Sequence, residues 1–238
     1  MITLLRIDNV PKRFAFLCLG SLAKVLAAGL LVTALGMAMV VAPTEETMGH
    51  VQRILYLHVA SAWLGLLGFA VMGACGLAYL IRRNLDWDHW SHAACEIGWL
   101  CSSLTLLTGS LWAHAAWGTW WTWEPRLTTM FILWALYSSC LVVRGSVSQP
   151  HQSARIAGTL SILGLLDLPL VIMATRWFRG IHPVSPEMEP LMQQTLLLNV
   201  VAFTIFFGLL FARRHSQLAS ECLLIELERT AKPHPAVR

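Results

Sequence analysis

Six stretches of this chain stay apolar for about the 20 residues that an α-helix needs to cross the hydrocarbon core of a bilayer. They lie roughly at 16–42, 55–81, 92–113, 127–147, 156–175 and 192–212. Nothing else in the sequence constrains the backbone so much. Inside lipid every N–H and C=O must find its partner within the protein, and short of a closed barrel only a helix does that. The expected fold is therefore all-α, a polytopic membrane protein built as a bundle of six transmembrane helices with short loops. It forms a single six-helix membrane domain over 1–238, with a tail at 213–238 that carries a short amphipathic helix. Composition agrees, because 56% of residues are hydrophobic and 13% charged, against about 25% charged in soluble domains. Two spans carry unusual residues: Glu96 in the third, Asp167 and Pro169 in the fifth. A charge at mid-membrane costs about 2.5–3.5 kcal/mol, so each carboxyl is expected to face the bundle interior or to be protonated.

Several classes are excluded. The basic residues are scattered among apolar runs and form no patch for nucleic acid. The six cysteines include no CxxC pair, which leaves no zinc site or disulfide framework and reads as small apolar packing. The first apolar region is too long for a cleaved signal, and Pro43 follows the only plausible cleavage position at Ala42, so a retained first span is expected.

Loop charge sets the orientation. With the N-terminus inside, the inner segments hold Arg6, Lys12, Arg13, Arg82, Arg83, Arg144, Arg155, Arg213, Arg214, Arg229, Lys232 and Arg238. The outer segments hold only Arg53, Arg126, Arg176 and Arg179. Excess Lys and Arg marks the cytoplasmic side, so both termini are expected in the cytoplasm and three loops, about 43–54, 114–126 and 176–191, face outward.

Those outward loops are where the sequence departs from a plain bundle. The second, LWAHAAWGTWWTWEPRLTT, holds five of the eleven tryptophans: Trp112, Trp117, Trp120, Trp121 and Trp123. An interfacial aromatic belt is spread over several helix ends, whereas this one is concentrated in a single loop. His58 starts the second span and His182 lies in the third outer loop, with Pro183 and Pro186 behind it. Two imidazoles on opposite arms of a dense aromatic loop suit haem, a planar apolar macrocycle with two anionic propionates and two axial positions on iron. Tryptophans stack on such a face with little side-chain entropy to lose. The outer cations Arg53, Arg126, Arg176 and Arg179 are available for charge-assisted bonds to propionates. Trp63, Trp99, Trp134 and Trp177 read instead as belt or packing residues, and His89, His92, His151, His215 and His234 as polar residues of the inner side and tail.

WGTWWTWEPRLTT resembles the tryptophan-rich signature, W-G-x-x-W-x-W-D, of the haem-handling membrane proteins of cytochrome c biogenesis. Trp117, Gly118, Trp121 and Trp123 match it, and Glu124 stands at the acidic position. Trp120 and the following RLTT point to the cytochrome c maturation protein C branch, also called haem exporter protein C. RILYLHVASAW resembles that branch's first histidine segment, and RWFRGIHPVSP stands where its second should be. The resemblance implies a protein of the bacterial inner membrane that transiently binds haem b at the periplasmic face, with His58 and His182 as axial ligands to its iron. Trp117, Gly118, Trp121, Trp123 and Glu124 would form a platform for haem and for a periplasmic haem chaperone, cytochrome c maturation protein E. Arg53 and Arg126 sit at family-like basic positions, with propionates as their inferred targets. The implied partners are that chaperone, a small one-span protein D, and an ATPase pair, proteins A and B. The implied role is haem transport and delivery, with attachment of haem to a chaperone histidine, rather than conventional enzyme catalysis.

Two departures from the pattern stand out. Glu124 replaces the usual aspartate, adding a methylene of reach, and Pro125 removes a backbone donor and holds Glu124 extended. Two other readings remain: a cytochrome c synthetase-type haem lyase component sharing the tryptophan signature, and a non-haem transporter or scaffold subunit whose tryptophans only anchor loops.

Overall fold

In the computed structural model the described residues are 10–178, 180, 182 and 188–231. Arg6, Arg179, Pro183, Pro186, Lys232, His234 and Arg238 lie outside them, as do the side chains of Lys12, Arg13, Cys18 and Arg229. Within the described residues the chain forms six long helices and no strand: α1 Val10–Gly36, α2 Ile54–Arg82, α3 Leu85–Trp117, α4 Pro125–Ser146, α5 Pro150–Trp177 and α6 Pro190–Ala231. A π-helical turn, Met37–Val41, extends α1, and a 3-10 turn, His50–Arg53, leads into α2.

Local sequence explains most of the ends. Pro125, Pro150 and Pro190 each open a helix, where a missing N–H costs nothing and φ is already set. Asn84 caps α3 by accepting from the Asp86 N–H at 2.9 Å, with Asp86 and Asp88 in the first turn where the helix dipole favours acids. Gly118 closes the other end of α3 at φ 71°, its N–H returning to the His114 carbonyl, a left-handed geometry that glycine adopts without a Cβ clash.

Five of these helices are long and apolar enough to cross a membrane, and the chain is an all-α polytopic membrane protein. The remaining helix, α3, has the length, but Asp86, Asp88, His89, His92 and Glu96 dilute its apolar character at one end. Asp88 and Glu96 are paired with basic residues of other helices, while Asp86 is exposed. Arg144 of α4 grips Asp88 with two hydrogen bonds of 3.0 and 2.8 Å. Arg214 of α6 holds Glu96, which also meets His92. The interior-facing expectation for Glu96 thus takes the form of an ion pair between α3 and α6. Asp167 of α5 is buried as well, with its Oδ2 unbonded.

The main core joins α2, α3, α4 and α5 through Phe69, Met72, Cys95, Leu133, Tyr137 and Cys140, and the Tyr137 hydroxyl donates to the Gly65 carbonyl at 2.8 Å. A second cluster, with Leu64, Cys101, Phe203 and Phe207, seats α6 on α2 and α3. Large apolar side chains such as Val25, Val32, Leu166, Ile172 and Leu197 point outward, as a lipid-facing surface requires. α1 packs chiefly against α6, where Asn199, fully buried, donates to the Ala34 carbonyl at 3.0 Å.

One boundary differs from the sequence reading. The sixth span was expected to end near 212 before a separate short helix, but α6 runs unbroken for 42 residues. At about 1.5 Å per residue that is roughly 63 Å, twice the hydrocarbon thickness of about 30 Å. No glycine or proline interrupts 213–231, so the helix simply continues past the membrane.

Candidate functional site

One end of the bundle opens into a cleft. Its walls come from the start of α2, the end of α3, the 118–124 loop, the start of α4, the end of α5 and the segment holding His182. His58 and His182 line it together with Trp112, Trp117, Trp121 and Arg126, over an apolar floor that includes Leu66, Met130 and Val171. The empty space is about 670 Å³, open mouth included. The fold thus brings together five of the residues expected to hold haem, His58, His182, Trp117, Trp121 and Arg126.

His58 sits in the second turn of α2, 6.4 Å from His182 between ring centroids, with the planes inclined at 40°. Trp112 lies 6.5 Å from His58 on the other side, and Trp117 lies 5.6 Å from Trp112. The His58 ring is held from α3: its Nδ1 is 3.1 Å from the Thr108 hydroxyl. That hydroxyl donates its own proton to the Leu104 carbonyl at 2.6 Å, one turn back. It therefore faces His58 as an acceptor, so Nδ1 carries the imidazole proton and the lone pair of the neutral ring sits on Nε2.

The tryptophan loop is shorter than its sequence suggested. Trp112 and Trp117 belong to the last turns of α3, and only Trp120, Trp121 and Trp123 follow the Gly118 turn. Trp120 leaves the cleft and stacks flat on His114 at 3.9 Å. Trp123 is 73% exposed and also lies outside the cleft. The indole N–H groups of Trp112 and Trp121 are buried without a protein acceptor.

Glu124 is extended, at φ −69° and ψ 155°, and precedes the first residue of α4, as its place before proline requires. Its carboxylate is packed against Gly180, so closely that a side chain at 180 would collide with it. The acid therefore faces the loop that carries His182, and the glycine is what lets the two segments approach. Arg126 is half-buried in the cleft wall. Arg53 does not line the cleft: its guanidinium donates to the Ala38 and Ala42 carbonyls at 2.8 and 2.9 Å and to Thr44 at 3.3 Å. Those bonds satisfy carbonyls at the end of α1 that lack helical partners.

A family model described as "Heme exporter protein C" matches residues 6–227. The chain belongs to the haem exporter protein C family. Among curated relatives, a "Heme exporter protein C" of Bradyrhizobium diazoefficiens is 32% identical over 90% of this chain and 82% of its own length. The protein of that name from Escherichia coli K12 is 29% identical over 79% of this chain and 77% of its own length. A "Putative cytochrome c biosynthesis ccmC-like mitochondrial protein" of Marchantia polymorpha is 32% identical over 61% of each chain. For a haem exporter protein C, the site adds residues that were not expected to hold haem: Trp112 and Met130 in the cleft wall, and Thr108 behind His58. Thr108 and Met130 are ordinary residues in apolar helices and carried no signal. Trp112 stood within the tryptophan stretch, but five residues from Trp117 it falls about 140° away around an ideal helix, so spacing alone did not join the two.

Proposed function

We propose that this chain, whose family handles haem for cytochrome c maturation, binds its cargo in the cleft at the periplasmic face of a bacterial inner membrane and mediates its transfer to a periplasmic chaperone. The observation that carries the reading is that His58 and His182 line one aromatic cleft with their ring centroids 6.4 Å apart. The two rings are close enough that His58 and His182 would together hold one haem iron.

The rest of the cleft fits the same cargo. Trp112, Trp117 and Trp121 offer flat apolar walls. Two buried indole N–H groups and the Arg126 guanidinium are donors for carboxylates. Thr108 holds His58 in the tautomer whose Nε2 is free to ligate. Glu124, set between the tryptophan loop and the His182 segment, positions one against the other. Bound haem supplies an electrophilic iron and a reactive edge; the protein's part is to ligate, orient and exclude water while leaving the mouth open to a partner.

The excess of basic residues on the far side of the bundle supports cytoplasmic termini, with the distal half of α6 reaching into the cytoplasm. The partners in this reading are a periplasmic haem chaperone of the cytochrome c maturation protein E type, a small one-span protein D, and an ATPase pair, A and B.

The decisive experiment is co-purification in mild detergent with the candidate chaperone. Wild type is expected to show a low-spin haem spectrum and to yield chaperone carrying covalent haem. His58→Ala and His182→Ala are expected to abolish both. Unchanged haem content and spectrum in both variants would refute the ligand assignment.

A further inference from the structure

Beside the cleft lies a second hollow, lined by Ser103, Leu106, Trp121, Trp123, Phe131 and Trp134, with about 760 Å³ of empty space including its open side. Two of these residues, Leu106 and Trp121, also line the cleft. They are the partition between the two spaces. We propose that this groove between α3 and α4 is the lateral entrance through which haem, a flat apolar macrocycle, passes between the lipid and the histidine cleft, with Trp121 as the movable leaf. The inference rests on the cleft being the haem site, and it adds the route.

Position comes first. α4 is one of the membrane-crossing helices. Phe131 and Trp134 lie about 9 and 14 Å along it from Pro125, at 1.5 Å per residue. The groove therefore descends from the loop into the outer part of the apolar layer. Phe131 and its neighbours Ile132 and Leu107 are exposed on that flank, so the open side faces acyl chains rather than water.

Chemistry comes second. The walls are aromatic and set at varied angles. Trp121 meets Trp123 edge-on at 5.7 Å and Phe131 at 6.2 Å, while Phe131 stacks on Trp134 at 5.7 Å. Flat π faces favour a flat π guest over a flexible acyl chain. The polar atoms at the floor are already paired, Trp134 Nε1 donating to Ser103 Oγ and Ser103 to the Trp99 carbonyl, each at 2.8 Å. An apolar guest meets no unpaired dipole there.

The third point is which parts are fixed. Among the described residues, the hydrogen bonds between α3 and α4 join Cys95 to Tyr137, Trp99 to Ser138, Ser103 to Trp134 and Asp88 to Arg144. All lie at or below the floor of the groove, and none crosses it higher up. Trp99 and Trp134 have bonded indole N–H groups, whereas that of Trp121 has no protein acceptor. The leaf of the partition can turn without breaking a hydrogen bond through its indole.

The test measures haem transfer from lipid vesicles preloaded with haem into protein held in nanodiscs, followed as growth of the low-spin spectrum, with release measured in reverse. Ser103→Phe plugs the groove from a position that does not itself line the cleft. It is expected to slow loading and release alike by roughly tenfold, the effect of about 1.4 kcal/mol added to a barrier, while final occupancy and spectrum stay as in wild type. Phe131→Ala widens the mouth and is expected to speed both; it guards against Ser103→Phe merely failing to fold. Wild-type rates in both variants would overturn the proposal and leave the groove to a lipid chain. Altered final occupancy with altered rates would also overturn it, making the groove a binding wall and not a passage. Failure of the underlying site assignment is read separately, as a wild-type spectrum that survives His58→Ala.

Discussion

The two ends of the bundle each hold a pair of histidines whose ring centroids are 6.4 Å apart: His58 with His182, and His89 with His215. At the far end the His215 ring is stacked flat on Trp90 at 3.6 Å, and its Nε2 is 3.0 Å from Asp86. Glu96, Arg214 and Glu221 form a chain of ion pairs on the same helices. That imidazole is committed to a charge network that ties α6 to α3. At the tryptophan end the partner of Nδ1 is a neutral hydroxyl, and the ring faces a hollow walled by indoles. Spacing alone does not make a ligand site. What distinguishes the pairs is the lining: the hollow beside His58 and His182 is walled by indoles and aliphatic side chains, whereas the hollow beside His89 is lined by Asp88, Arg144 and Glu221.

The largest expected effect separates the pairs directly. His58→Ala and His182→Ala should each lose the low-spin spectrum and stop cytochrome c production. His89→Ala and His215→Ala should keep a wild-type spectrum in purified protein. A low-spin signal that instead vanished with His89 or His215 would put the cargo at the wrong end of the molecule and break the comparison.

Stability should show the opposite bias. Asp88 and Arg144 are both nearly buried and joined by two hydrogen bonds. Arg144→Met would leave Asp88 uncompensated, a loss of about 3–5 kcal/mol for buried pairs broken on one side. The expected outcome is a strongly lowered thermal midpoint in detergent, while protein that remains folded still takes up haem. Asp88→Asn combined with Arg144→Met should recover much of the loss, because no charge is then left buried.

How far the sequence disclosed this division varies by element. The apolar runs marked the helices, because lipid admits little else, and Pro125, Pro150 and Pro190 marked three of their starts. α3 was harder to read, since its acids are answered by Arg144 and Arg214 from helices distant in sequence. The tryptophan motif and the two histidines pointed to one end of the bundle. Arg53 shows the limit: it sits near His58 in sequence, yet its bonds go to the end of α1. Charge and proximity could not reveal that, because free carbonyls at a helix end leave no mark on composition. Thr108 shows the same limit from the other side, lying fifty positions from the histidine it holds.

Thr108 supplies the next test. Thr108→Val keeps the shape but removes the acceptor for His58 Nδ1–H. Loss of such an orienting partner costs about 10–100-fold in metal affinity, so haem titration should show weakened binding and a smaller low-spin fraction. Thr108→Ser should restore both, which a purely steric role for the threonine would not predict. Its counterpart at the far end, Tyr79 bonded to His151 Nδ1 at 3.1 Å, should affect haem binding not at all when changed to phenylalanine.

The smallest effect is reserved for Gly180, where the two outward segments meet. The Glu124 carboxylate lies against this glycine, and any side chain there would collide with it. Gly180→Ala forces the Glu124 carboxylate to move from its place against residue 180. Small misplacements near a ligating group are costly, but the end of the Glu124 side chain can absorb most of this shift. Haem affinity is therefore expected to fall only several-fold, by about 1 kcal/mol. Glu124→Asp withdraws the carboxylate by one methylene, so in the Gly180→Ala background it should return affinity towards wild type. If the double variant is instead worse than either single change, Glu124 is gripping the cargo or a partner rather than setting the distance between the loops.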